Sequence, residues 1–171
     1  SYVLLDVASN QVLAAQGDTQ RVEPASLTKL MTAYVVFHAI KDGKLKLEQE
    51  VPISEYAWRV GGAKSGGSTS FLDLNSRVKV VDLIQGMIVQ SGNDATIALA
   101  EKIGGTEDGF AQIMNTYAKQ LGMKATNFTN STGLPDPNLY TTARDIATLG
   151  RAVIREHPEF YKWYSIREFV W

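Results

Sequence analysis

The stretch "VEPASLTKLMTAYVVFHAI", residues 22–40, decides the fold, because it places a serine and a lysine three positions apart at the start of a long apolar segment. From Leu27 onward apolar side chains recur at helical spacing, and further apolar residues occupy the opposite side of the same helix. Gly43 offers a C-terminal cap. The pattern predicts a helix that is apolar nearly all round, and a helix of that kind lies at the centre of a domain.

Ser26 and Lys29 are the polar exceptions in this segment. Ser26 falls in the first turn, where free backbone N–H groups and the positive end of the helix dipole favour a developing anion. Lys29 follows one turn later on the same face, and burial lowers the pKa of a lysine by disfavouring its charged form. Lys29 can then take the proton of a nucleophilic Ser26. The competing interpretation of the pair alone is a capping serine beside a lysine that extends to solvent.

The same S-x-x-K spacing occurs a second time, at Ser76 and Lys79. The spacing alone therefore has little specificity. Arg77 and Lys79 alternate with Val78 and Val80, and this alternation predicts a half-exposed strand in which Ser76 does not face the start of a helix. We predict that this second pair lies at the solvated surface.

A second candidate segment is "MIVQSGNDATIALAEKI", residues 87–103, in which Ser91 and Asn93 fall in a tight turn between two predicted helices. Such a turn can present a hydroxyl and an amide to a cleft. The alternative is local: Asn93 caps the following helix and Ser91 forms a hydrogen bond within the turn.

The remaining sequence predicts one globular domain of mixed structure. A hairpin is expected from strands at residues 2–7 and 12–15, and short strands with a Gly/Ser-rich loop between residues 44 and 80. Further helices are predicted at 81–89, 95–103 and 107–121, with a last one that starts at Thr142, has Asp145 in a capping box and ends near Pro158. Residues from about 165 to 171 resemble the beginning of a strand.

Composition excludes several classes of function. The 171 residues are 44% apolar, and 17 basic residues balance 18 acidic ones, so no nucleic-acid partner is predicted. The absence of cysteine excludes disulfides, thiolate ligands and a cysteine nucleophile. His38 and His157 do not have metal-ligand spacing, so neither a metal nor a cofactor is predicted. The chain has no membrane-spanning apolar run and no signal peptide, so an exported protein would be present here in its mature form.

Together the segments "PASLTKLMT" and "IVQSGNDATIALAE" resemble the first two motifs of the low-molecular-mass penicillin-binding proteins, the serine D-alanyl-D-alanine carboxypeptidases. The resemblance extends along the whole chain. It implies an α+β, three-layer α/β/α fold of the penicillin-recognising serine hydrolases, with an antiparallel sheet flanked by helices. Residues 1–171 would be a single catalytic domain, with the hairpin at about 1–16, a helical region at about 26–157 and a returning strand at about 165–171.

By matching position, the resemblance also implies a mechanism. A peptidoglycan peptide ending in D-Ala-D-Ala, or a β-lactam, would acylate Ser26, and Lys29 would be the base. Ser91 and Asn93 would relay protons and hold the substrate amide, with Gly92 between them in the substrate site. The backbone N–H of Ser26 would form part of the oxyanion hole. The expected location is the bacterial periplasm, at the outer face of the cytoplasmic membrane, with membrane contact only through a C-terminal anchor.

One departure from the family concerns its third motif, K-T-G or K-S-G, which is expected about a hundred residues after Ser91. The sequence stops before that point, and the Lys64-Ser65-Gly66 tripeptide precedes Ser91 in the Gly-rich loop, so we do not assign it this role. We therefore expect an incomplete catalytic domain, possessing little activity alone and completed by a second chain or fragment.

Two alternatives share the fold. A β-lactamase of class A needs a glutamate after the second motif, and no glutamate occurs between Asp108 and Arg155. The S-x-V motif of class D is replaced by Ser91-Gly92-Asn93. A non-catalytic penicillin-binding sensor is the other alternative, which the four polar residues of the two motifs disfavour and the missing third motif favours.

Overall fold

Small antiparallel sheets and a larger set of helices make up residues 1–170, the part of the chain that this computed structural model describes. In chain order the elements are β1 (Tyr2–Leu5), β2 (Val12–Gln16), α1 (Thr28–Lys41), β3 (Glu50–Pro52), α2 (Glu55–Gly61), β4 (Arg77–Lys79), α3 (Val80–Val89), α4 (Asn93–Gly104), α5 (Glu107–Gln120), α6 (Ala143–Glu156) and α7 (Pro158–Tyr161). Short 3₁₀ turns occupy Ala25–Leu27, Ala63–Ser65 and Lys162–Ser165. The α+β class predicted from the sequence is confirmed.

Helix α1 is the central element, as its all-round apolar pattern predicts. Met31, Ala33, Val36 and Phe37 are fully buried, and the helix contacts α3, α4, α5 and α6. After Lys41 the chain leaves the helix through Gly43, whose φ of 72° lies in the left-handed region that glycine tolerates. Burial on all sides fixes the position of α1, and therefore also the position of the residues at its two ends.

The predicted N-terminal hairpin is present as β1 and β2, which pair antiparallel with an irregularity between Leu4 and Leu5. Asp6 closes the turn by accepting a hydrogen bond from the Ser9 backbone N–H (2.7 Å). Helix α6 packs against β1, and Arg151 Nε donates to the Val7 carbonyl oxygen (2.8 Å). The hairpin is thus attached to the helices through α6.

Helix α2 was not predicted. Its N-cap, Ser54, accepts a hydrogen bond from the Ala57 N–H (2.9 Å). The helix has only seven residues, and within it only Ala57 and Gly61 are buried, so it leaves almost no apolar periodicity in the sequence. A Cβ at Gly61 would lie 2.3 Å from the Asp94 backbone nitrogen, which shows how closely α2 approaches the start of α4.

The N-terminus of α6 differs from the predicted capping box. Thr142 does cap the helix, since its Oγ1 accepts from the Asp145 N–H (3.1 Å). The Asp145 carboxylate instead accepts hydrogen bonds from the Ala125 N–H (2.9 Å) and the Thr126 hydroxyl (2.7 Å). In a capping box the Asp145 carboxylate would accept from the Thr142 backbone N–H. Here it binds residues 125–126 instead and attaches that segment to α6.

The strand expected at about residues 165–171 is not formed over 165–170. Ser165 ends a 3₁₀ turn, and residues 166–170 have no regular secondary structure. A strand requires a hydrogen-bonding neighbour, and each described sheet is a two-stranded pair that does not include this segment. Trp171, the last residue of the predicted strand, lies outside the described residues. Within residues 1–170, the helices are all too short or too polar to cross a membrane.

Candidate active site

Ser26 lies in the 3₁₀ turn that leads into α1, and the conformation of this turn is unusual. Ala25 has a φ of 46°, in the left-handed region that residues with a side chain rarely adopt. Gly133 packs directly against it: a Cβ at Gly133 would lie 1.8 Å from the Ala25 carbonyl oxygen. Glycine is therefore required at position 133 for the chain to approach the turn that presents Ser26.

Lys29 is directed at Ser26 from one turn further along. Its Nζ donates to Ser26 Oγ (3.3 Å) and to the Thr132 carbonyl oxygen (2.9 Å). Lys29 is only 6% exposed, and burial lowers its pKa from 10.5 to about 8. An appreciable fraction of Lys29 is consequently neutral near physiological pH and able to accept a proton.

Ser91 approaches from the turn between α3 and α4 and completes a three-residue cluster. Its hydroxyl donates to Ser26 Oγ (3.2 Å), and its φ of 56° is again left-handed. Ser26 Oγ is thereby hydrogen-bonded to both Lys29 and Ser91. The structure brings together three of the residues predicted from the sequence, although 65 positions separate the two serines.

Gly92 and Asn93 follow directly. Gly92 is the N-cap of α4, and a Cβ there would lie 2.1 Å from Ser70 Oγ, so the turn packs tightly on the 69–72 loop. Asn93 is the first residue of α4 rather than its cap, and it is 5% exposed. A Cβ at Gly67 would lie 2.8 Å from Asn93 Nδ2, so the amide lies against the Gly-rich loop. Within residues 1–170 no hydrogen bond joins the Asn93 side chain to the three-residue cluster.

The loop of residues 130–133 supports Lys29 and was not predicted. Asn130 Oδ1 accepts from the backbone N–H groups of Thr132 (3.2 Å) and Gly133 (2.7 Å). Glu107 accepts from the N–H of Ser131 (3.2 Å) and bonds its hydroxyl. Burial raises the pKa of Glu107, and the bonds from Ser131 oppose that shift. These contacts fix the Thr132 carbonyl oxygen that holds Lys29.

Asp94 fixes the loop of residues 69–72 on the other side of the site, and the sequence analysis did not predict this role. Its fully buried carboxylate accepts from the Thr69 hydroxyl (2.8 Å) and from the N–H groups of Ser70 (2.8 Å) and Leu72 (3.0 Å). Buried charges require such compensation. The only sequence signal was its place after Asn93, a position that also fits an ordinary helix N-terminus.

A cleft opens beside Ser26. Its lining combines the polar cluster with side chains from α1, α3 and two 3₁₀ turns: Ser26, Leu27, Lys29, Leu30, Met87, Ile88, Ser91 and Tyr164. Such a mixture of an apolar wall and a few convergent polar groups is typical of a small-molecule or peptide site.

The other sequence candidates lie elsewhere. Ser76 Oγ donates to the Asp73 carbonyl oxygen (2.7 Å), and the exposed Lys79 pairs with Glu48 (2.8 Å), so the surface prediction for this pair is confirmed. Lys64 and Ser65 lie in an exposed 3₁₀ turn, with Lys64 Nζ 5.3 Å from the centre of the Trp58 ring.

Solved structures with this fold define the class of protein. The structure superposes on penicillin-binding protein 5 from Haemophilus influenzae with a TM-score of 0.95 and 50% identity, covering 99% of this chain and 49% of that one. It matches penicillin-binding protein 6B from Escherichia coli with a TM-score of 0.93 and 42% identity, covering 99% and 54%. The chain thus has the penicillin-recognising serine hydrolase fold.

Sequence comparison then identifies the family. The family model of the D-alanyl-D-alanine carboxypeptidases, peptidase S11, matches residues 1–171, so the chain belongs to this family. D-alanyl-D-alanine carboxypeptidase DacA from H. influenzae is 51% identical over 170 residues, and DacC from E. coli is 44% identical over 171 residues. The chain spans 43% of the length of each of these two relatives.

Proposed function

We propose that this chain carries the nucleophile site of a serine D-alanyl-D-alanine carboxypeptidase that acts on peptidoglycan stem peptides. The observation that supports the proposal most strongly is the pair of hydrogen bonds that Ser26 Oγ receives, from Lys29 Nζ at 3.3 Å and from Ser91 Oγ at 3.2 Å. A hydroxyl held between a buried amine and a second hydroxyl is an activated nucleophile with a route for its proton.

Acylation begins with neutral Lys29 removing the Ser26 proton as Oγ attacks the carbonyl carbon of the peptide bond between the two D-alanines. The oxyanion of the tetrahedral intermediate accepts a hydrogen bond from the Ser26 backbone N–H at the start of α1. The C–N bond then breaks, and the leaving amine takes a proton that Lys29 returns through Ser91. D-alanine departs and the remaining peptide is esterified to Ser26.

Deacylation repeats these steps with water. Lys29 deprotonates a water molecule that attacks the ester carbonyl, and Ser26 Oγ recovers its proton as it leaves. A β-lactam enters by the same first step, because its strained amide presents an equivalent carbonyl to Ser26. No step requires a cofactor.

Substrate contacts are assigned to the cleft and its rim. The apolar side chains of Leu27, Leu30 and Met87 contact the alanine methyl groups, while Gly92 and the Asn93 amide face the substrate backbone. Peptidoglycan lies outside the cytoplasmic membrane, so we assign the protein to the bacterial periplasm. The names of the H. influenzae and E. coli relatives support the activity on which this assignment rests.

The test is release of D-alanine from an acyl-D-Ala-D-Ala peptide, together with covalent labelling by a fluorescent penicillin. In a protein that joins this chain to a strand carrying the K-T-G or K-S-G motif, we expect both activities, both lost in Ser26→Ala and both retained in Ser76→Ala. Labelling without D-alanine release would favour a non-catalytic sensor. Rapid loss of the label with hydrolysed penicillin accumulating would favour a β-lactamase.

A further inference from the structure

The two histidines of the chain, far apart in sequence, meet at the C-terminal end of α1, away from Ser26. His38 lies in the last turn of α1, Glu156 is the last residue of α6, and His157 follows it as the C-cap. One potential ligand atom from each of these three residues lies within 4.8 Å of those of the other two. Imidazole nitrogens and a carboxylate oxygen are a ligand set that Zn²⁺ and related dications prefer.

His157 is fully buried, and its ring packs edge-on against Tyr34 and His38. These ring contacts do not satisfy its nitrogens, neither of which has a hydrogen-bond partner among residues 1–170. An uncompensated buried polar group costs stability, so native proteins almost always satisfy such groups. His38 Nε2 is also buried without a hydrogen-bond partner and lies 3.5 Å from Glu156 Oε2. Unsatisfied imidazole nitrogens from two histidines thus lie near one carboxylate.

The electrostatic setting also favours a cation. The C-terminal ends of α1 and α6 meet here, and each contributes the negative end of a helix dipole. The Glu156 carboxylate adds a formal charge. Lys41 opposes this field, but its Nζ is exposed and donates to the Glu156 carbonyl oxygen (3.1 Å) rather than to the carboxylate.

A hydrogen bond to Glu156 supports this arrangement of ligand atoms. Tyr34 donates its hydroxyl to Glu156 Oε2 (2.7 Å). Hydrogen bonds of this kind orient a ligating carboxylate and leave its other oxygen available.

We propose that His38, Glu156 and His157 form a binding site for a first-row transition-metal dication such as Zn²⁺. Two imidazoles and one carboxylate occupy three positions of a tetrahedral Zn²⁺, and water takes the fourth. Ligand atoms of one tetrahedral Zn²⁺ are about 3.3 Å apart, so binding draws the three side chains slightly together. The bound ion links α1 to the junction of α6 and α7 and stabilises the helix whose other end carries Ser26 and Lys29.

The test is competitive titration of the chelator-treated protein with Zn²⁺ in the presence of a chromophoric chelator of known affinity. The chain has two histidines and no cysteine, so few other residues can bind Zn²⁺ tightly. We expect one equivalent bound, an affinity lowered about 100-fold in His38→Gln and Glu156→Gln, and about tenfold in Tyr34→Phe, which removes a supporting hydrogen bond.

Two further measurements make the result decisive. The matched control Glu159→Gln removes a nearby carboxylate outside the ligand set, and we expect it to bind Zn²⁺ as the unmodified protein does. Zn²⁺ should raise the melting temperature of the unmodified protein but not that of His38→Gln. His157 is fully buried, and we expect its replacement by Gln to impair folding, so the more exposed His38 and Glu156 carry the test. Absence of stoichiometric binding, or unchanged affinity in His38→Gln, would overturn the proposal.

Discussion

The S-x-x-K spacing occurs twice in this chain, and the two copies have very different surroundings. Ser26 and Lys29 open a buried helix, and a second hydroxyl from Ser91 joins them. Ser76 precedes a short half-exposed strand that ends at Lys79, and each of the two residues forms its hydrogen bond with another partner. The same residue types at the same spacing thus form a partly buried hydrogen-bonded cluster in one place and ordinary surface contacts in the other.

Burial of the lysine accounts for most of this difference. At Lys29 burial lowers the pKa to about 8, whereas at the exposed Lys79 the Glu48 carboxylate raises the pKa. A base must lose its proton near the working pH. Of the two lysines, only Lys29 satisfies this requirement. The difference between the two S-x-x-K pairs can therefore be tested by making the same substitutions in both pairs.

The largest expected effect comes from removing the hydroxyls. Ser26→Ala should lower D-alanine release by about 10⁶-fold, the loss seen when a serine hydrolase loses its nucleophile. Ser76→Ala should retain the unmodified rate. Steady-state assays of both variants, with circular dichroism to verify folding, check this expectation; comparable losses in the two variants would contradict the distinction between the pairs.

The next effect comes from the lysines. Lys29→Arg replaces a base by a group that keeps its proton, so the acylation rate should fall by about 10²- to 10⁴-fold. Lys79→Arg should have no effect, since its pairing with Glu48 is a surface contact. Stopped-flow measurement of β-lactam acylation separates this step from deacylation. A Lys29→Arg enzyme that acylates normally would exclude Lys29 as the base.

A smaller effect is expected from pH. Because neutral Lys29 is the active form, the acylation rate should rise about tenfold per pH unit below about 8 and level off above it. Protonation of Lys29 on lowering the pH removes the base and causes the decline. The same profile should appear in Lys79→Arg. A rate independent of pH between 6 and 9 would be incompatible with a lysine base of this pKa.

The smallest effect concerns stability. Lys79→Ala removes an exposed ion pair, and such pairs contribute little to the free energy of unfolding. Urea denaturation should give a midpoint equal to that of the unmodified protein. Gly133→Ala offers the contrast, because its Cβ would collide with the Ala25 carbonyl oxygen beside Ser26; this variant should unfold at a clearly lower urea concentration.

Much of this arrangement follows from local sequence patterns. The periodicity of α1, the hairpin and the cap at Thr142 predict elements that the structure contains, because each depends on residues within one or two turns of each other. The proximity of Ser26, Lys29 and Ser91 was also predicted from the sequence, since two motifs in the correct order are far more specific than either alone.

The contacts that the sequence did not predict join residues that are far apart in the chain. The Thr132 carbonyl oxygen reaches Lys29 across 103 positions, and Glu107 reaches Ser131 across 24. A backbone carbonyl oxygen has no characteristic residue type, so no motif marks it. The capping box at Asp145 failed for the same reason, because a distant backbone segment competes for the carboxylate. The meeting of His38 with His157 likewise depends on the packing of α1 against α6.

The most direct test of the central claim is to locate the penicillin adduct. The purified protein is labelled with a fluorescent penicillin, digested, and its peptides are sequenced by tandem mass spectrometry. We predict a single modified residue, Ser26, with the peptides that contain Ser76 and Ser91 unmodified. An adduct on either of those serines, or on Lys29, would contradict the assignment of Ser26 as the nucleophile.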